Sequence, residues 1–148
     1  MGVLCVAAAA VVSLGGDESD ARTHTEQLSV HDYRRVLIRD ESYPGTTNTV
    51  ADYVGPAGSG NAAQLLSGPG LTITHTGPET WVTPQPNDLF DLVARGKFEG
   101  PGNCGLTVST FRLGRSAPEE WHLSGTQAAD LRSGRLTAIE VSVDCGLG

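Results

Sequence analysis

The sequence predicts a single α+β domain with a small antiparallel sheet, two or three short helices on one side of it and one disulfide bond. Strands are predicted at 71–76, 104–113 and 136–145, where apolar and polar residues alternate. The 19 glycines and 8 prolines indicate short elements joined by many turns. A chain of 148 residues is long enough for one hydrophobic core but not for two.

The N-terminal segment has the composition of a leader. Residues 1–16, MGVLCVAAAAVVSLGG, carry no charged side chain, and an apolar run of about a dozen residues fits a signal-peptide core better than a bilayer span. We expect an apolar leader at 1–21 (a signal peptide or the end of a membrane anchor), a polar tether at 22–28 and one globular domain at 29–148. No basic residue begins the segment, as a signal peptide would require, so the start of the leader would lie further upstream or the segment would end a longer anchor. A buried element of the domain and lipid attachment at Cys5 are further alternatives.

The segment SVHDYRRVLIRDE, residues 29–41, predicts the first helix of the domain. Ser29 has the position of an N-cap, and Asp32 follows three residues later. Apolar residues also recur at helical spacing: Val30, Tyr33, Val36 and Leu37. The inner part, RRVLIR, is equally compatible with a strand.

The next segment is expected to be irregular. Residues 44–70 contain six glycines and three prolines, and long irregular segments of compact domains are functional or mobile. A short helical turn is expected within it, capped by Asn61 and closed by Gly68. The sequence LTITHT then alternates and predicts the strand at 71–76.

The segment NDLFDLVARG carries the most helix signals in the chain. Asn87 is a favoured N-cap residue, and Asp88 and Asp91 favour the positive end of the helix dipole. Arg95 favours the negative end, and Gly96 is the residue type that commonly ends a helix. We therefore predict a helix at these positions.

The last third of the chain predicts a strand, a short helix and a second strand. The helix, TQAADLRSG, has Thr126 as its cap and Gly134 as its end. The predicted core collects apolar residues from all of these segments: Val36, Leu37, Leu71, Ile73, Leu89, Phe90, Leu92, Val93, Leu106, Val108, Phe111, Leu131, Ile139, Val141 and Val143.

Alternation also predicts how the last two strands pair. Placing Cys104 opposite Cys145 in an antiparallel pair brings apolar residues together, whereas a slip of one residue sets valines against polar residues. The further partners are Leu106 with Val143, Val108 with Val141 and Thr110 with Ile139. We expect a Cys104–Cys145 disulfide, with buried thiols, a metal site and cysteine catalysis as alternatives. Such a bridge persists in oxidising compartments, so we expect the domain outside the cytoplasm.

Composition argues against several classes of protein. The net charge is −7, and the ten basic residues are scattered, so nucleic-acid binding is not expected. The four histidines are far apart and no further ligand flanks the cysteines, so neither a metal nor a cofactor is expected. Membrane contact is expected only through the leader. Arginine at all but one basic position, with abundant alanine and glycine, indicates a bacterial source.

Two tryptophans in predicted loops are the leading candidates for a binding site. Trp81 lies in a proline-flanked segment and Trp121 in PEEWHLSG, and loop tryptophans can stack on ligands or anchor peptides. His122 and Tyr53, the latter in the glycine-rich loop, complete the predicted ligand-binding set. The alternative is that both tryptophans cover the edge of a core that is poor in aromatic residues.

These observations favour an exported bacterial domain that is not an enzyme and that binds an unidentified ligand or protein at the cell envelope. No recognised catalytic motif is present. One alternative is a small secreted hydrolase that uses His75 or His122 with a loop serine such as Ser59. Another is a structural or inhibitor-like module that inserts the loop at 44–70 into a partner.

Overall fold

The computed structural model describes residues 16–44, 46–58, 60–77 and 85–146. Within them, the chain forms a six-stranded antiparallel sheet and a two-stranded ribbon, with helices packed on the sheet. The helices are α1 (Gly16–Gln27), α2 (Ala62–Leu65), a 3-10 helix (Glu119–Trp121) and α3 (Gly125–Ser133). The strands are β1 (Ser29–Val30), β2 (Arg34–Tyr43), β3 (Thr46–Pro56), β4 (Leu66–Ser67), β5 (Leu71–Thr76), β6 (Phe90–Phe98), β7 (Cys104–Phe111) and β8 (Leu136–Gly146). The α+β class is confirmed, and the sheet is larger than expected.

The strands of the main sheet follow the order β2-β3-β8-β7-β6-β5, and every neighbouring pair is antiparallel. β2 and β3 form a hairpin at one edge, while β5, predicted at 71–76, begins a meander through β6 and β7 at the other. β1 pairs with β4 in the separate ribbon. The last strand, β8, fills the gap between β3 and β7, so the two halves of the sheet are joined only when β8 has paired.

The predicted pairing of β7 with β8 is confirmed at each position. Cys104 lies opposite Cys145, and the two form a disulfide with their Cα atoms 4.1 Å apart. The further pairs are Leu106 with Val143, Val108 with Val141 and Thr110 with Ile139. Contacts between apolar side chains across the strands specify this register, so the disulfide joins positions that the sheet already holds together.

The two faces of the sheet are covered differently. On the first face, α1, α2 and the ribbon pack over the main core, whose sheet residues include Ala51, Tyr53, Leu106, Val108, Ile139, Val141 and Val143. On the second face, the 3-10 helix and α3 cover only one end, around a smaller core of Val54, Phe111, Trp121, Leu131 and Ala138. The helices therefore lie on both sides of the sheet, not on one side as expected.

The predicted core is correct for the C-terminal half of the chain. The buried members are Leu106, Val108, Phe111, Leu131, Ile139, Val141 and Val143. The half-buried members are Val36, Leu37, Leu71, Ile73, Leu89, Phe90, Leu92 and Val93. The prediction missed β3, which supplies Ala51 and Tyr53 to the main core and Val54 to the smaller one.

The helix predicted at 29–41 is wrong. Its first two residues form β1, Asp32 lies in a turn with a left-handed φ of 64°, and the rest belongs to β2. A β-bulge between Arg35 and Leu37 inserts an extra residue into the alternation, which gives the apolar residues a spacing that resembles a helix. Pairing with β3 decides the conformation of this segment.

The irregular segment predicted at 44–70 is also wrong, because it contains β3, and residues 49–55 are buried. Gly55 belongs to this strand, and a Cβ atom there would lie 2.5 Å from the ring of Tyr33. This glycine therefore permits the close approach of an aromatic ring and does not mark a loop. The alternative of an inhibitor-like module expected the segment 44–70 to be a loop that inserts into a partner. Residues 46–56 of this segment form β3 and are not a loop.

The helix predicted at 87–96 is the third error. Asp88 closes a turn, because its Oδ2 accepts a hydrogen bond of 2.8 Å from the backbone N–H of Gln85, and β6 follows. A bulge between Leu92 and Ala94 again interrupts the alternation of apolar and polar residues. The apolar residues of the strand therefore have a spacing that resembles that of a helix.

Two short helices are confirmed with changes at their ends. Asn61 caps α2 as predicted, but the helix ends before Gly68. Gly134 ends α3 as predicted, with a left-handed φ of 83°. The N-cap of α3 is Ser124, which forms a capping box, and not Thr126.

The N-terminal helix occupies positions that the sequence assigned to the leader and the tether. Residues 22–27, interpreted as part of a polar tether, lie in α1. Ala21 and Thr25 of this helix are fully buried, and α1 packs on β3 and β8. Residues 1–15, including Cys5, lie outside the described residues. Among the residues that the structure describes, no helix is long and apolar enough to cross a bilayer.

Candidate functional site on the open face of the sheet

Trp121, predicted to bind ligand from a loop, is buried, with 2% of its surface exposed. Its ring packs against Phe90 and Phe111, with centroid distances of 6.1 and 5.5 Å. Its Nε1 donates a hydrogen bond of 2.7 Å to Oδ2 of Asp52. The indole therefore closes one end of the second face as part of the smaller core.

Tyr53 lies within β3 and not in a glycine-rich loop. It is buried on the first face, where its hydroxyl donates a hydrogen bond of 3.3 Å to the backbone oxygen of Leu28. Burial raises the pKa of Tyr53 above its ordinary value. Because successive strand residues face opposite sides, Tyr53 and the Asp52 that binds Trp121 lie on opposite faces of the sheet.

His122 is exposed and follows the 3-10 helix with a left-handed φ of 50°. Trp81 and Ser59 lie outside the described residues. His75 is exposed on the edge strand β5. In the described part of the chain, no hydrogen bond joins either histidine to a serine, and no observation favours the predicted histidine–serine hydrolase.

The part of the second face that the helices leave uncovered is called the open face below. It holds a depression of about 430 Å³, within the size range of small-molecule sites. The polar side chains that line it are Thr74, Arg95, Asn103, Thr107, Ser142 and Asp144. These side chains come from β5 to β8 and from the turn before β7, so the sheet itself positions most of the site.

The register of the strands arranges the open face in rows. Two rows of three residues cross from β6 through β7 to β8: Arg95, Thr107 and Ser142, and then Lys97, Gly105 and Asp144. Both residues from β6 are cations, whereas β8 contributes a hydroxyl and a carboxylate. Two strand spacings, about 10 Å, separate β6 from β8. The open face therefore carries two cationic side chains on its β6 side and a carboxylate on its β8 side.

Gly105 forms the floor of the depression. A Cβ atom built there would have its nearest neighbour, the backbone oxygen of Gly96, 4.0 Å away. Packing therefore does not require a glycine at this position. A side chain at 105 would rise into the depression between Lys97 and Asp144, which flank it across the strands.

A charged cluster lies beside the depression, on β2, β3 and β8. We call it the Arg39 cluster, and its members are Arg39, Glu41, Asp52 and Glu140. The guanidinium nitrogens of Arg39 lie 3.0 Å from Oε1 of Glu41, 3.3 Å from Oδ2 of Asp52 and 3.5 Å from Oε2 of Glu140. Asp52 is 2% exposed, and the side chain of Glu140 is 25% exposed. Glu140 is two positions from Ser142 on the same face of β8, which places the cluster next to the depression.

The two inner carboxyl groups of the cluster have raised pKa values. Burial, and next the negative charge of Asp52, raise the pKa of Glu140 from an ordinary value of 4.5 to about 7. Burial also raises the pKa of Asp52, although the indole of Trp121 and the guanidinium of Arg39 oppose this shift. Neighbouring carboxyl groups of this kind titrate as a pair.

The sequence prediction missed the Arg39 cluster. The available signal is a single acidic residue inside an apolar strand: Asp52 in TVADYVG and Glu140 in TAIEVSV. A carboxylate in such a run is buried only with compensating partners. Since β3 was expected to be irregular, neither the position of Asp52 nor its partner on β8 could be derived.

No family model, curated protein sequence or solved structure matches the chain. Across residues 16–44, 46–58, 60–77 and 85–146, no three His, Cys, Asp or Glu side chains group as metal ligands. The candidate site is therefore defined by its geometry: a depression with separated charges beside a buried pair of carboxyl groups.

Proposed function

We propose that this domain binds a small zwitterionic molecule in the depression on the open face, outside the cytoplasm. The observation that carries the proposal is the separation of charge across the depression, which is lined by Arg95 of β6 on one side and by Asp144 of β8 on the other. A ligand with an anionic group at one end and a cationic group at the other is complementary to this arrangement.

The hydroxyl group of Ser142, in the row that it forms with Arg95 and Thr107, supports the same orientation of the ligand. Ser142 donates its own proton to Oδ1 of Asn48 over 2.6 Å, so its oxygen is left as an acceptor. Ser142 and Asp144 therefore both offer acceptors to a cationic group on the β8 side. On the opposite side, Arg95 has interactions within the chain, but a guanidinium carries five N–H donors and can share some of them with an anionic group of the ligand.

The lining favours binding over catalysis and charged ligands over aromatic ones. Among the described residues that line the depression, none is aromatic and none is a histidine. Stacking on a ring, common in saccharide recognition, and nucleophile activation by an imidazole therefore have no side chain here to support them.

The disulfide supports an extracytoplasmic location, because disulfides persist in oxidising compartments. Cys104 and Cys145 are sequence neighbours of Gly105 and Asp144, so the bridge clamps the end of β7 and β8 that carries the depression. A ligand from the cell envelope or its surroundings is consistent with this placement and with the leader expected from the sequence.

The experiment uses the full-length chain and a panel of free amino acids, short peptides and neutral monosaccharides, with binding detected by saturation-transfer NMR. Gly105→Val places a branched side chain on the floor of the depression and obstructs it. Gly125→Val is the matched control, because a Cβ atom at this exposed glycine at the start of α3 has no neighbour within 4 Å. Both variants should keep the fold, which amide spectra verify.

We expect amino acids or short peptides to bind the wild type and Gly125→Val, and to bind Gly105→Val at least about tenfold more weakly. Preferential binding of the monosaccharides, equal binding by the two variants, or no binding by any amino acid or peptide would overturn the proposal.

A further inference from the structure

Asp52 and Glu140 are direct cross-strand partners on β3 and β8, with their side chains on the same face. Directly opposed residues bring their Cβ atoms to about 5 Å, and like charges placed there repel. Glu140 is also within side-chain hydrogen-bonding reach of Asp52. The sheet therefore forces two carboxyl groups together at a largely buried position.

The one cation that the described residues place at this pair does not neutralise it. Among the described residues, Arg39 is the cation that contacts the cluster, and it is shared by three carboxyl groups: those of Glu41, Asp52 and Glu140. The other elements packed against the pair add uncharged groups, which are the indole of Trp121 and, opposite Glu140 on β7, Ser109. With every carboxyl group ionised, the cluster would carry a net charge of −2.

Hydrogen bonding distinguishes the three carboxyl groups. Glu41 accepts from Arg39, from the hydroxyl of Tyr43 and from Nδ2 of Asn48. Oδ2 of Asp52 accepts from Trp121 and Arg39. Oδ1 of Asp52 is buried and accepts from none of the described donors when both carboxyl groups are ionised. A buried acceptor without a hydrogen-bond donor destabilises the folded state. The carboxyl group of Glu140, if protonated, is an adjacent donor.

We propose that Asp52 and Glu140 form a proton-binding site, in which Glu140 carries one proton and donates it in a hydrogen bond to the carboxylate of Asp52. The proton supplies the donor that Oδ1 lacks and lowers the charge of the Arg39 cluster by one unit. It is exchanged with water through the exposed quarter of the Glu140 side chain. This site does not depend on the ligand proposed above.

The proton also controls charge on the open face. Glu140, Ser142 and Asp144 follow one another on the same face of β8. Release of the proton therefore adds one negative charge to the β8 side of the open face, which already carries Asp144. It also leaves two carboxylates next to the hydrogen bond between Trp121 and Asp52.

The direct test is a pH titration of the side-chain carboxyl ¹³C signal of Glu140 in the full-length wild type, which needs no substitution. We expect a midpoint near pH 7, with a parallel shift of the indole N–H signal of Trp121. A Trp81→Phe background assigns the indole signal. In Glu140→Gln, whose amide keeps a donor toward Asp52, the shift of the indole signal should disappear.

Two controls separate this site from nearby ionisable groups. Glu120→Gln and His122→Asn, at exposed neighbours of Trp121, should leave the midpoint of the indole signal unchanged. A Glu140 carboxyl midpoint close to 4.5, or an indole titration that persists in Glu140→Gln, would overturn the proposal. An indole titration lost in His122→Asn would also overturn it.

Discussion

The indole Nε1 of Trp121 donates a 2.7 Å hydrogen bond to Oδ2 of Asp52, a buried carboxylate 69 positions earlier in the chain. Trp121 belongs to the connection between β7 and β8, and Asp52 belongs to β3. Since β8 lies between β7 and β3, this bond ties the connection to a strand on the far side of β8. The bond holds the 3-10 helix against the second face of the sheet and fixes the position of Oδ2 of Asp52.

Replacing Trp121 with Phe removes this hydrogen bond and keeps most of the ring packing. A hydrogen bond to a charged group contributes about 1.5–3 kcal/mol, and the smaller ring leaves a partial cavity. We expect the free energy of unfolding, measured in urea, to fall by about 2–4 kcal/mol. Phe90→Leu in the same aromatic group is the control, with an expected loss of about 1 kcal/mol. Equal losses in the two variants would contradict the role given to the hydrogen bond.

The raised pKa of Glu140 makes stability depend on pH within a defined window. The carboxyl group loses its proton near pH 4.5 in the unfolded chain and near pH 7 in the folded domain. Between these values the folded state binds more protons, so the free energy of unfolding decreases as the pH rises and levels off above pH 7. The full contribution is at most about 3 kcal/mol.

Glu140→Gln should remove this decrease. We expect similar stability of wild type and variant at about pH 4, and a variant that is more stable by about 1–3 kcal/mol at about pH 8. Groups outside the Asp52–Glu140 pair titrate alike in both proteins, so the difference between the two curves isolates the pair. A difference that stays constant across this range would show that Glu140 titrates normally in the folded domain.

The disulfide closes a loop between residues 41 positions apart. A cross-link of this span contributes about 4 kcal/mol in the chain-entropy model. Reduction of the wild type, or the double replacement Cys104→Ala with Cys145→Ala, should lower the free energy of unfolding by about 3–5 kcal/mol. The reductant should have no effect on the double variant. An unchanged unfolding midpoint after alkylation has verified complete reduction would rule out this contribution.

Two strand glycines should respond in opposite ways to alanine. At Gly55 the new methyl group meets the ring of Tyr33 at 2.5 Å, whereas at Gly105 the nearest atom is 4.0 Å away. We expect Gly55→Ala to lose about 1–3 kcal/mol of stability and Gly105→Ala to change it by less than about 0.5 kcal/mol. Adding Tyr33→Ala should relieve part of the loss at Gly55. Equal tolerance of alanine at both positions would contradict the packing described here.

The pair of strands whose alternation and mutual pairing are both continuous, β7 and β8, could be predicted from the sequence, whereas two strands with bulges, β2 and β6, could not. Residues 104–110 of β7 pair without interruption with residues 145–139 of β8. The register, and with it the disulfide, could therefore be predicted by matching side chains across the two strands. β2 and β6 each contain a bulge, and both were mistaken for helices. The conformation of these two strands is decided by pairing with partners distant in sequence, which local periodicity does not report.

The candidate site was beyond prediction for the same reason. Asp52 and Glu140 are 88 positions apart (140 − 52) and meet only through the register of β3 with β8. Two of the aromatic residues that drew attention in the sequence lie in the cores: Trp121 in the smaller one and Tyr53 in the larger one. Large side chains in an aromatic-poor protein are the strongest signals in its sequence, and burial is their commonest use.

The open face is tested most directly by mapping backbone amide chemical shifts in the full-length ¹⁵N-labelled chain during titration with a zwitterionic amino acid or short peptide. We predict that the largest changes occur at Gly105, Thr107 and Ser142, and that the amide of His122 does not move. Changes centred on His122 or on the edge strand β5, with Gly105 unaffected, would contradict the assignment of the binding site to the open face.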